Sequence, residues 1–274
     1  MRVHFAIPYV ILKERLGEVM SLGLCPEIYF DAQALKDVTP EELNRLKKAL
    51  EEADLTCSIH GPYTDLSPGA MDPEVRRVTL GRFLDTLRVS EILEPLNIVF
   101  HPGYIPMVHR EYLDLWMERA KELWLQVFEK AHQMGLRVSL ENVFDDTPEV
   151  LHELLSGTQG RVGFCFDPAH QLLYSSASLE EWISSMRDSL TEVHIHNNHG
   201  FTDEHLPPDE GILDFRSILE KLPEGDLLLT LEIHQEDKVL KGFCVLQGLL
   251  EEIGWRDWKR TARALSVDRR TRGG

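Results

Sequence analysis

The chain has 274 residues, of which 46 are acidic and 29 basic, so its formal net charge is −17. This charge disfavours indiscriminate binding to nucleic acid or to anionic membranes. With 43% hydrophobic residues, the chain can bury a core of the size that one large α/β domain or two small ones require. No apolar run approaches the roughly 20 residues of a membrane span, and the first residues do not resemble a secretory signal. We therefore expect a cytoplasmic protein without membrane partners.

Strand-like and helical patterns alternate along the first half of the chain. The short apolar runs are RVHFAI, PEIYF, LTCSIH and NIVFH, and each of them precedes a helical segment. Thr39 and Pro40 are typical of a helix start. A long helix is predicted from about Pro73 to Leu93, and the helix after NIVFH is expected to close at Gly135.

The same alternation continues in the second half with RVSLEN, VGFCFD, LTEVHIH and LLLTLEIH. Two of the intervening helices are predicted to begin at Thr147 with Pro148 and near Ser178. Eight strands that alternate with helices predict an α/β fold, a single (β/α)8 TIM barrel over residues 1–255. Residues 256–274 are basic and end in RGG, so we expect a frayed tail, with a phosphate-binding arm as the alternative.

Cysteine and histidine residues outside the strand ends are expected to have structural or solvated roles. The cysteines lie far apart without a CxxC pair, which is typical of reduced thiols. We expect them to be small residues of the core, and they are Cys25, Cys57, Cys165 and Cys244. Three histidines lie in helical or loop sequence without a partner at ligand spacing and are expected to be solvated: His109, His132 and His152.

Side chains that can bind a metal follow the ends of six consecutive strands, the third to the eighth. In a TIM barrel these ends form the rim that carries the active site. The candidates, in chain order, are His60, His101, Glu141, Asp167, His170, His196, Asp203, His205 and Glu232. Converging carboxylates repel one another unless a cation lies among them. Imidazole and carboxylate ligands without cysteine indicate Zn²⁺, Mn²⁺ or Fe²⁺.

Each candidate also has a simpler role when it is considered alone. Glu141 could accept a hydrogen bond from an arginine, Asp167 before Pro168 could form a turn, and His170 could cap the helix that follows. These separate roles do not produce one class of residue at the same end of six strands. The joint pattern therefore favours a metal site.

Three further histidines lie near these positions but are not predicted to be direct ligands. His194 shares strand parity with His196 and would point into the barrel one layer deeper, as a donor to a ligand or as a core residue. His234 shares parity with Glu232 and is expected at the rim. His199 lies in the loop after the seventh strand.

With these residues in place, the chain resembles the xylose isomerase-like TIM-barrel superfamily, also called AP endonuclease family 2, and within it the endonuclease IV branch. The similar motifs are HGPYTDLSPG, NIVFHPG, LEN, CFDPAH, HIHNN, DEH and LEIH, which follow the family order over roughly residues 57 to 234. All the ligand positions of the family can be filled in this sequence.

The resemblance implies up to three divalent metal ions. The implied ligand sets are His60, His101 and Glu141 for one ion; Glu141, Asp167, His196 and Glu232 for a second; and His170, Asp203 and His205 for a third. The implied reaction is phosphoester hydrolysis, in which water between the first two ions attacks phosphorus and the third ion neutralises phosphate oxygens. Glu141, Glu232 and His170 are the implied catalytic residues.

The loops after the first two strands differ from those of the DNA-repair enzymes in this branch. They read PYVILKERLGE and DAQALKDVTPEE, and the second has only Lys36 to offer a phosphate. Tyr63, in HGPY, could stack on a base or simply pack. A small-molecule phosphodiester or sugar phosphate is therefore favoured as substrate, and nucleic acid with an abasic site is the less favoured partner.

The main alternative is a divalent-metal-dependent sugar or sugar-phosphate isomerase or epimerase. That side of the superfamily resembles the second ligand set, which would hold one ion while its two glutamates move a proton next to a carbonyl and His170 contacts sugar hydroxyls. The hydrolase is favoured because a one-ion isomerase does not need His60, His101, Asp203 and His205. A non-catalytic barrel is least favoured, since it would be expected to have lost a ligand.

Overall fold

A computed structural model of the protein describes residues 2–158, 160–223 and 225–255. In these residues eight parallel strands pair in chain order, and the first pairs with the last, so that the sheet closes into a barrel. The strands are β1 Arg2–Pro8, β2 Cys25–Tyr29, β3 Ser58–His60, β4 Ile98–Phe100, β5 Val138–Glu141, β6 Val162–Phe166, β7 Leu190–Ile195 and β8 Leu228–Leu231. The predicted TIM barrel is confirmed.

Helices lie between the strands throughout the described ranges. They are α1 Tyr9–Glu14, α2 Leu16–Leu22, α3 Ala32–Asp37, α4 Pro40–Glu52, α5 Pro73–Leu93, α6 Pro106–His109, α7 Leu113–Gln133, α8 Glu149–Leu155, α9 Pro168–Tyr174, α10 Leu179–Met186, α11 Phe215–Lys221 and α12 Val239–Glu252. None of these helices is long and apolar enough to cross a membrane. The predicted tail, residues 256–274, lies outside the described residues.

Helix boundaries follow the capping residues of the sequence. Thr39 and Ser178 each form a capping box, in which the hydroxyl accepts from a first-turn amide and a glutamate accepts from the cap amide. Gly135 follows α7 with a left-handed φ of 70° that a glycine adopts without steric cost. At α8 the cap is Pro148 without a side-chain hydrogen bond, so the hydroxyl of Thr147 does not begin this helix as predicted.

The apolar core lies between the sheet and the helices. Its largest fully buried side chains include Trp116, Trp124 and Trp182, and the ring of Trp124 stacks on that of Phe83 with centroids 4.6 Å apart. Such large rings fill the space between the helices and the curved sheet. This packing of helices on the sheet supports the strands whose ends carry the predicted ligands.

Polar side chains fill the interior of the barrel beneath the rim. His4 Nδ1 donates to Ser58 Oγ at 2.8 Å, and that hydroxyl donates to Glu27 Oε2 at 3.0 Å. Asn97 Nδ2 donates to Glu192 Oε2 at 2.7 Å. All five residues are at most 1% exposed, so these hydrogen bonds replace the water that burial removed.

Two expectations about single residues are wrong. Cys244 lies on an exposed face of α12, whereas the other three cysteines are buried. His109 is only 5% exposed, because its Nδ1 accepts from the backbone N–H of Ile105 at 2.9 Å and its ring stacks on Trp116. The expected exposure of His132 and His152 is confirmed.

Candidate metal centre

The strand ends deliver the predicted ligands to one mouth of the barrel. His60 and Glu141 are the last residues of β3 and β5, while His101, Asp167 and Glu232 follow β4, β6 and β8. The mouth holds a cavity of about 450 Å³, lined among others by His60, His101, Glu141, His170, Asp203, His205 and Glu232. The other two predicted ligands, Asp167 and His196, are buried directly against these residues.

Three groups of donor atoms lie at this mouth, each compact enough to surround an ion, and the first two share a residue. The first group comprises His60, His101 and Glu141, whose donor atoms lie within 4.8 Å of one another. The Nε2 atoms of His60 and His101 are 3.1 and 3.3 Å from the same oxygen, Oε2 of Glu141. This is the first ligand set implied by the resemblance.

The second group comprises Glu141, Asp167, Glu232 and His194. His194 Nδ1 lies 3.3 Å from Glu141 Oε1 and 3.4 Å from Glu232 Oε2. In the set implied by the resemblance, His196 occupied this place. The structure instead brings His194 to the centre of the group, and His196 Nε2 is 3.9 Å from Glu232 Oε2. Glu141 belongs to both the first and the second group, as a bridging carboxylate would.

The third group comprises His170, Asp203 and His205, as implied, together with His196. Asp203 Oδ2 is 3.2 Å from His170 Nε2 and 3.1 Å from His205 Nε2. The rings of His196 and His205 stack with centroids 3.9 Å apart. His205 has a φ of 50°, a backbone conformation that is uncommon outside glycine and is often found at functional sites.

Asp167 serves both the helix and the ligand groups. Its Oδ1 accepts from the amides of Ala169 and His170 at 2.7 and 2.8 Å, which caps the start of α9. Its Oδ2 accepts from His196 Nε2 at 2.8 Å. Asn142 fixes the backbone here, since its side chain donates to Asp167 O at 2.7 Å and accepts from Asp167 N at 2.8 Å. Asp167 therefore caps the helix, a role considered for His170, and lies within the second donor group as well.

Sequence reasoning missed one buried partner of this centre, Glu27 in the middle of β2. Its Oε1 lies 3.4 Å from His194 Nε2, on the side of the ring opposite Glu141 and Glu232. A carboxylate behind a ligating histidine is a common arrangement, because it fixes the tautomer that leaves the other nitrogen free for the metal. The signal was present in PEIYF, where a lone carboxylate interrupts an apolar strand.

The carboxylates of the mouth control the charge of its histidines. Burial alone would lower the pKa of His170, but Asp167, Asp203 and Glu141 raise that pKa well above its ordinary value. The pKa of His60 is also raised, because the hydrogen bond to Glu141 and its charge outweigh burial. At His101 burial is the largest effect and the pKa is lowered, although Glu141 opposes it. The mouth therefore favours positive charge close to its carboxylates.

The donor atoms fit divalent ions. Among the described residues, several buried polar atoms of the mouth have no hydrogen-bond partner: His194 Nδ1 and Nε2, His196 Nδ1 and Asp203 Oδ1. Buried polar atoms without partners are costly, and ligation by a metal removes that cost. Imidazole and carboxylate donors without cysteine match Zn²⁺, Mn²⁺ and Fe²⁺.

The cavity wall above the ligands is aromatic and aliphatic. Tyr63 lies parallel to His101 with ring centroids 4.3 Å apart. On another side of the mouth, Phe144 and Tyr174 meet edge to face with centroids 4.9 Å apart. His234, which was expected at the rim, lines the cavity and stacks on His205 at 3.8 Å. His199 lies outside the cavity lining and pairs with Glu204 at 2.9 Å.

Comparison with known proteins decides the family. The model of the xylose isomerase-like TIM barrel matches residues 25–255. The chain belongs to this family. Solved structures with this fold include both a D-tagatose 3-epimerase-like protein and an endonuclease IV, so family membership leaves the reaction of this chain to its site.

Relatives cover most of the barrel. The chain is 29% identical to the uncharacterised protein MJ1311 of Methanocaldococcus jannaschii over 78% of this chain and 76% of that protein. The solved structure of the TTHB071 protein from Thermus thermophilus, soaked with ZnCl2, is similar with a TM-score of 0.76 and 27% identity, over 92% of this chain and 99% of that one.

Two further solved structures share the fold at lower identity. A D-tagatose 3-epimerase-like protein has a TM-score of 0.82 and 24% identity, over 92% of this chain and 98% of its own. Endonuclease IV from Thermus thermophilus has a TM-score of 0.68 and 18% identity, over 92% of this chain and 100% of its own.

Proposed function

We propose that this family member is a metal-dependent phosphoester hydrolase of the endonuclease IV type, acting on a small-molecule phosphodiester or sugar phosphate. The observation that carries the proposal is the presence of three donor groups at one mouth, with Glu141 shared by two of them. An enzyme that uses one ion has no need of the first and third groups.

The side chains of the chain would hold and orient the reacting groups. His60, His101 and Glu141 would bind one ion, and the other two groups would bind a second and a third. Bound divalent ions lower the pKa of water and neutralise the oxygens of a phosphoester. Glu141 would contribute to two of these groups and Glu232 to the second, and His170 would orient Asp203 through the contact of 3.2 Å.

A second function, sugar isomerisation or epimerisation, is favoured by one specific feature. Glu141 and Glu232 approach the same nitrogen of His194, at 3.3 and 3.4 Å. Two glutamates that share one ion could move a proton beside a carbonyl, with one carboxylate as base and the other as acid. This function uses only the second donor group.

Metal stoichiometry separates the two functions. The protein would be purified without chelator, and its metal content per chain measured by elemental analysis, for the wild type and for His60→Ala. Two or three ions in the wild type, falling in the variant, would support the hydrolase and should accompany turnover of methyl p-nitrophenyl phosphate. One ion, unchanged by His60→Ala, would contradict the hydrolase and direct assays to ketoses and their phosphates.

A further inference from the structure

The side chains that line the mouth indicate the chemistry of the part of the substrate that does not react. Among the residues that the structure describes, no lysine or arginine lines the cavity. The acidic groups of the lining are Glu141, Asp203 and Glu232, and the last two keep 27% and 13% of their side chains exposed. A second anionic group on the substrate would meet these carboxylates without a lysine or arginine of the described lining beside them, which is unfavourable in a partly desolvated site.

The same wall presents aromatic and aliphatic surface to a ligand. Ile11, Tyr63, Phe144 and Tyr174 line the cavity and are 41%, 44%, 38% and 38% exposed. They come from four different segments, and two of them, Phe144 and Tyr174, contact each other. Large apolar side chains that remain exposed together around a polar centre are typical of ligand-binding sites.

We infer that the substrate carries a single phosphate group and an uncharged organic part with a ring or hydrocarbon face. This inference rests on the proposed hydrolase, because the phosphate is taken to bind at the donor groups. The organic part lies between Tyr63 and the Phe144–Tyr174 pair, where rings stack or meet edge to face. The lining thereby excludes polyanions such as nucleic acid and molecules with a second phosphate.

Binding of phosphonates to the zinc-loaded protein tests this inference without turnover. Four probes share the phosphonate head: methyl-, phenyl-, 4-carbamoylphenyl- and 4-carboxyphenylphosphonate. By calorimetry we expect phenylphosphonate to bind about tenfold or more tightly than methylphosphonate, because it buries a ring against apolar side chains. The carbamoyl probe should bind like phenylphosphonate, and the carboxy probe, which has the same shape and an added charge, should bind about tenfold or more weakly than the carbamoyl probe.

Wall variants locate the effect. Phe144→Ala should bring the affinities for phenyl- and methylphosphonate close together. Phe201→Ala is the matched control, because Phe201 is 89% exposed and does not line the cavity, so that the preference for the phenyl group should persist. Phe144→Lys should improve binding of the carboxy probe relative to the carbamoyl probe. Equal affinity for phenyl- and methylphosphonate in the wild type, or tightest binding of the carboxy probe, would overturn the inference.

Hydrolysis measured on the same samples separates this inference from the proposed function. If methyl and phenyl p-nitrophenyl phosphate are not hydrolysed while the phosphonates bind in the expected order, the hydrolase is wrong and the ligand class stands. If both esters are hydrolysed without preference for the phenyl ester, the hydrolase stands and the ligand class is wrong. If none of the phosphonates binds, both are wrong.

Discussion

His4 and His194 are both buried inside the barrel, yet their pKa values move in opposite directions. His4 lies lower in the barrel, beside the hydroxyls of Ser58 and Thr56 at 2.8 and 3.3 Å, and burial lowers its pKa to about 4. At His194 burial opposes the charge as well, but the surrounding carboxylates raise its pKa well above the ordinary value. Burial alone makes a histidine neutral. The carboxylates of the mouth favour positive charge beside them, which a bound cation would supply.

Glu27 connects the two regions. One of its oxygens accepts from Ser58, which in turn accepts from His4, and the other faces His194 Nε2. His4 therefore contacts the donor groups only indirectly, through Ser58 and Glu27, and is not a member of them. Five experiments test this difference.

Loss of Glu141 should have the largest effect. Glu141→Ala removes the carboxylate common to two donor groups, so we expect at least about a thousandfold lower kcat/KM for phosphodiester hydrolysis. Metal content per chain should fall in parallel. Glu51→Ala, on an exposed face of α4, is the control and should leave both unchanged. Full metal content in Glu141→Ala would contradict the bridging position.

Removal of His205 should affect the third donor group alone. His205→Ala is expected to lower kcat/KM for hydrolysis by about a hundredfold. The third group would lose a ligand and with it the positive charge of its ion, while the first two groups remain. Elemental analysis should show about one ion fewer per chain. An activity equal to that of the wild type would remove the third group from the hydrolytic site.

Glu27→Gln should lower the metal affinity, although Glu27 lies behind His194 and outside the three donor groups. We expect a metal affinity about 10 to 100 times lower, measured by competition with a chromophoric chelator, because the fixed orientation of His194 is lost. Ser139→Ala is a matched interior control, since Ser139 bonds to Asn97 and Thr191 and to neither Glu27 nor His194. Unchanged affinity in Glu27→Gln would show that His194 needs no partner.

His4 should make folding sensitive to mild acid. Its folded pKa of about 4 lies below the ordinary 6.5, so the unfolded chain takes up a proton that the folded chain does not, and stability falls as pH falls from about 6.5 to 4. This site alone should cost about 2 kcal/mol between pH 7 and pH 5. Urea unfolding of metal-free protein measures it. The pH dependence should be shallower in His4→Gln, and an identical slope would contradict the neutral state of His4.

The smallest effect is expected on the outer surface. Lys221 and Glu180 form an exposed ion pair at 2.6 Å, with 40% and 64% of their side chains exposed. Such pairs contribute little because water screens them. Lys221→Met should change the Tm by less than about 2 °C and leave metal content unaltered. A larger loss of stability would show that charges outside the barrel matter as much as those at its mouth.

The sequence predicted the barrel and its rim because both depend on local patterns. Alternation of strand and helix signals is enough to recognise the closed sheet, and a polar residue at a strand end reaches the mouth wherever the helices lie. The long helix expected from about Pro73 to Leu93 spans these residues, with Pro73 at its first position, and the left-handed Glu94 follows its end.

What the sequence could not predict depends on depth within the barrel. His194 and His196 share strand parity, so the pattern places both inside but does not say which one is level with Glu141. The level is set by the stagger of neighbouring strands, and the pairing of β6 with β7 shifts register between Phe164 and Cys165. His109 and Cys244 were misjudged for a related reason, because burial on a helix depends on how neighbouring segments pack.

The two oxygens of Asp167 have different partners, so few substitutions are tolerated at this position. Asparagine would keep the cap of α9 but lose the negative charge, and glutamate would keep the charge but reach past the amides of Ala169 and His170. Aspartate alone meets both demands. A descendant of this protein that had lost its activity would therefore still need aspartate or asparagine here to cap the helix. Aspartate at this position would indicate that the activity is retained, and asparagine that it is lost.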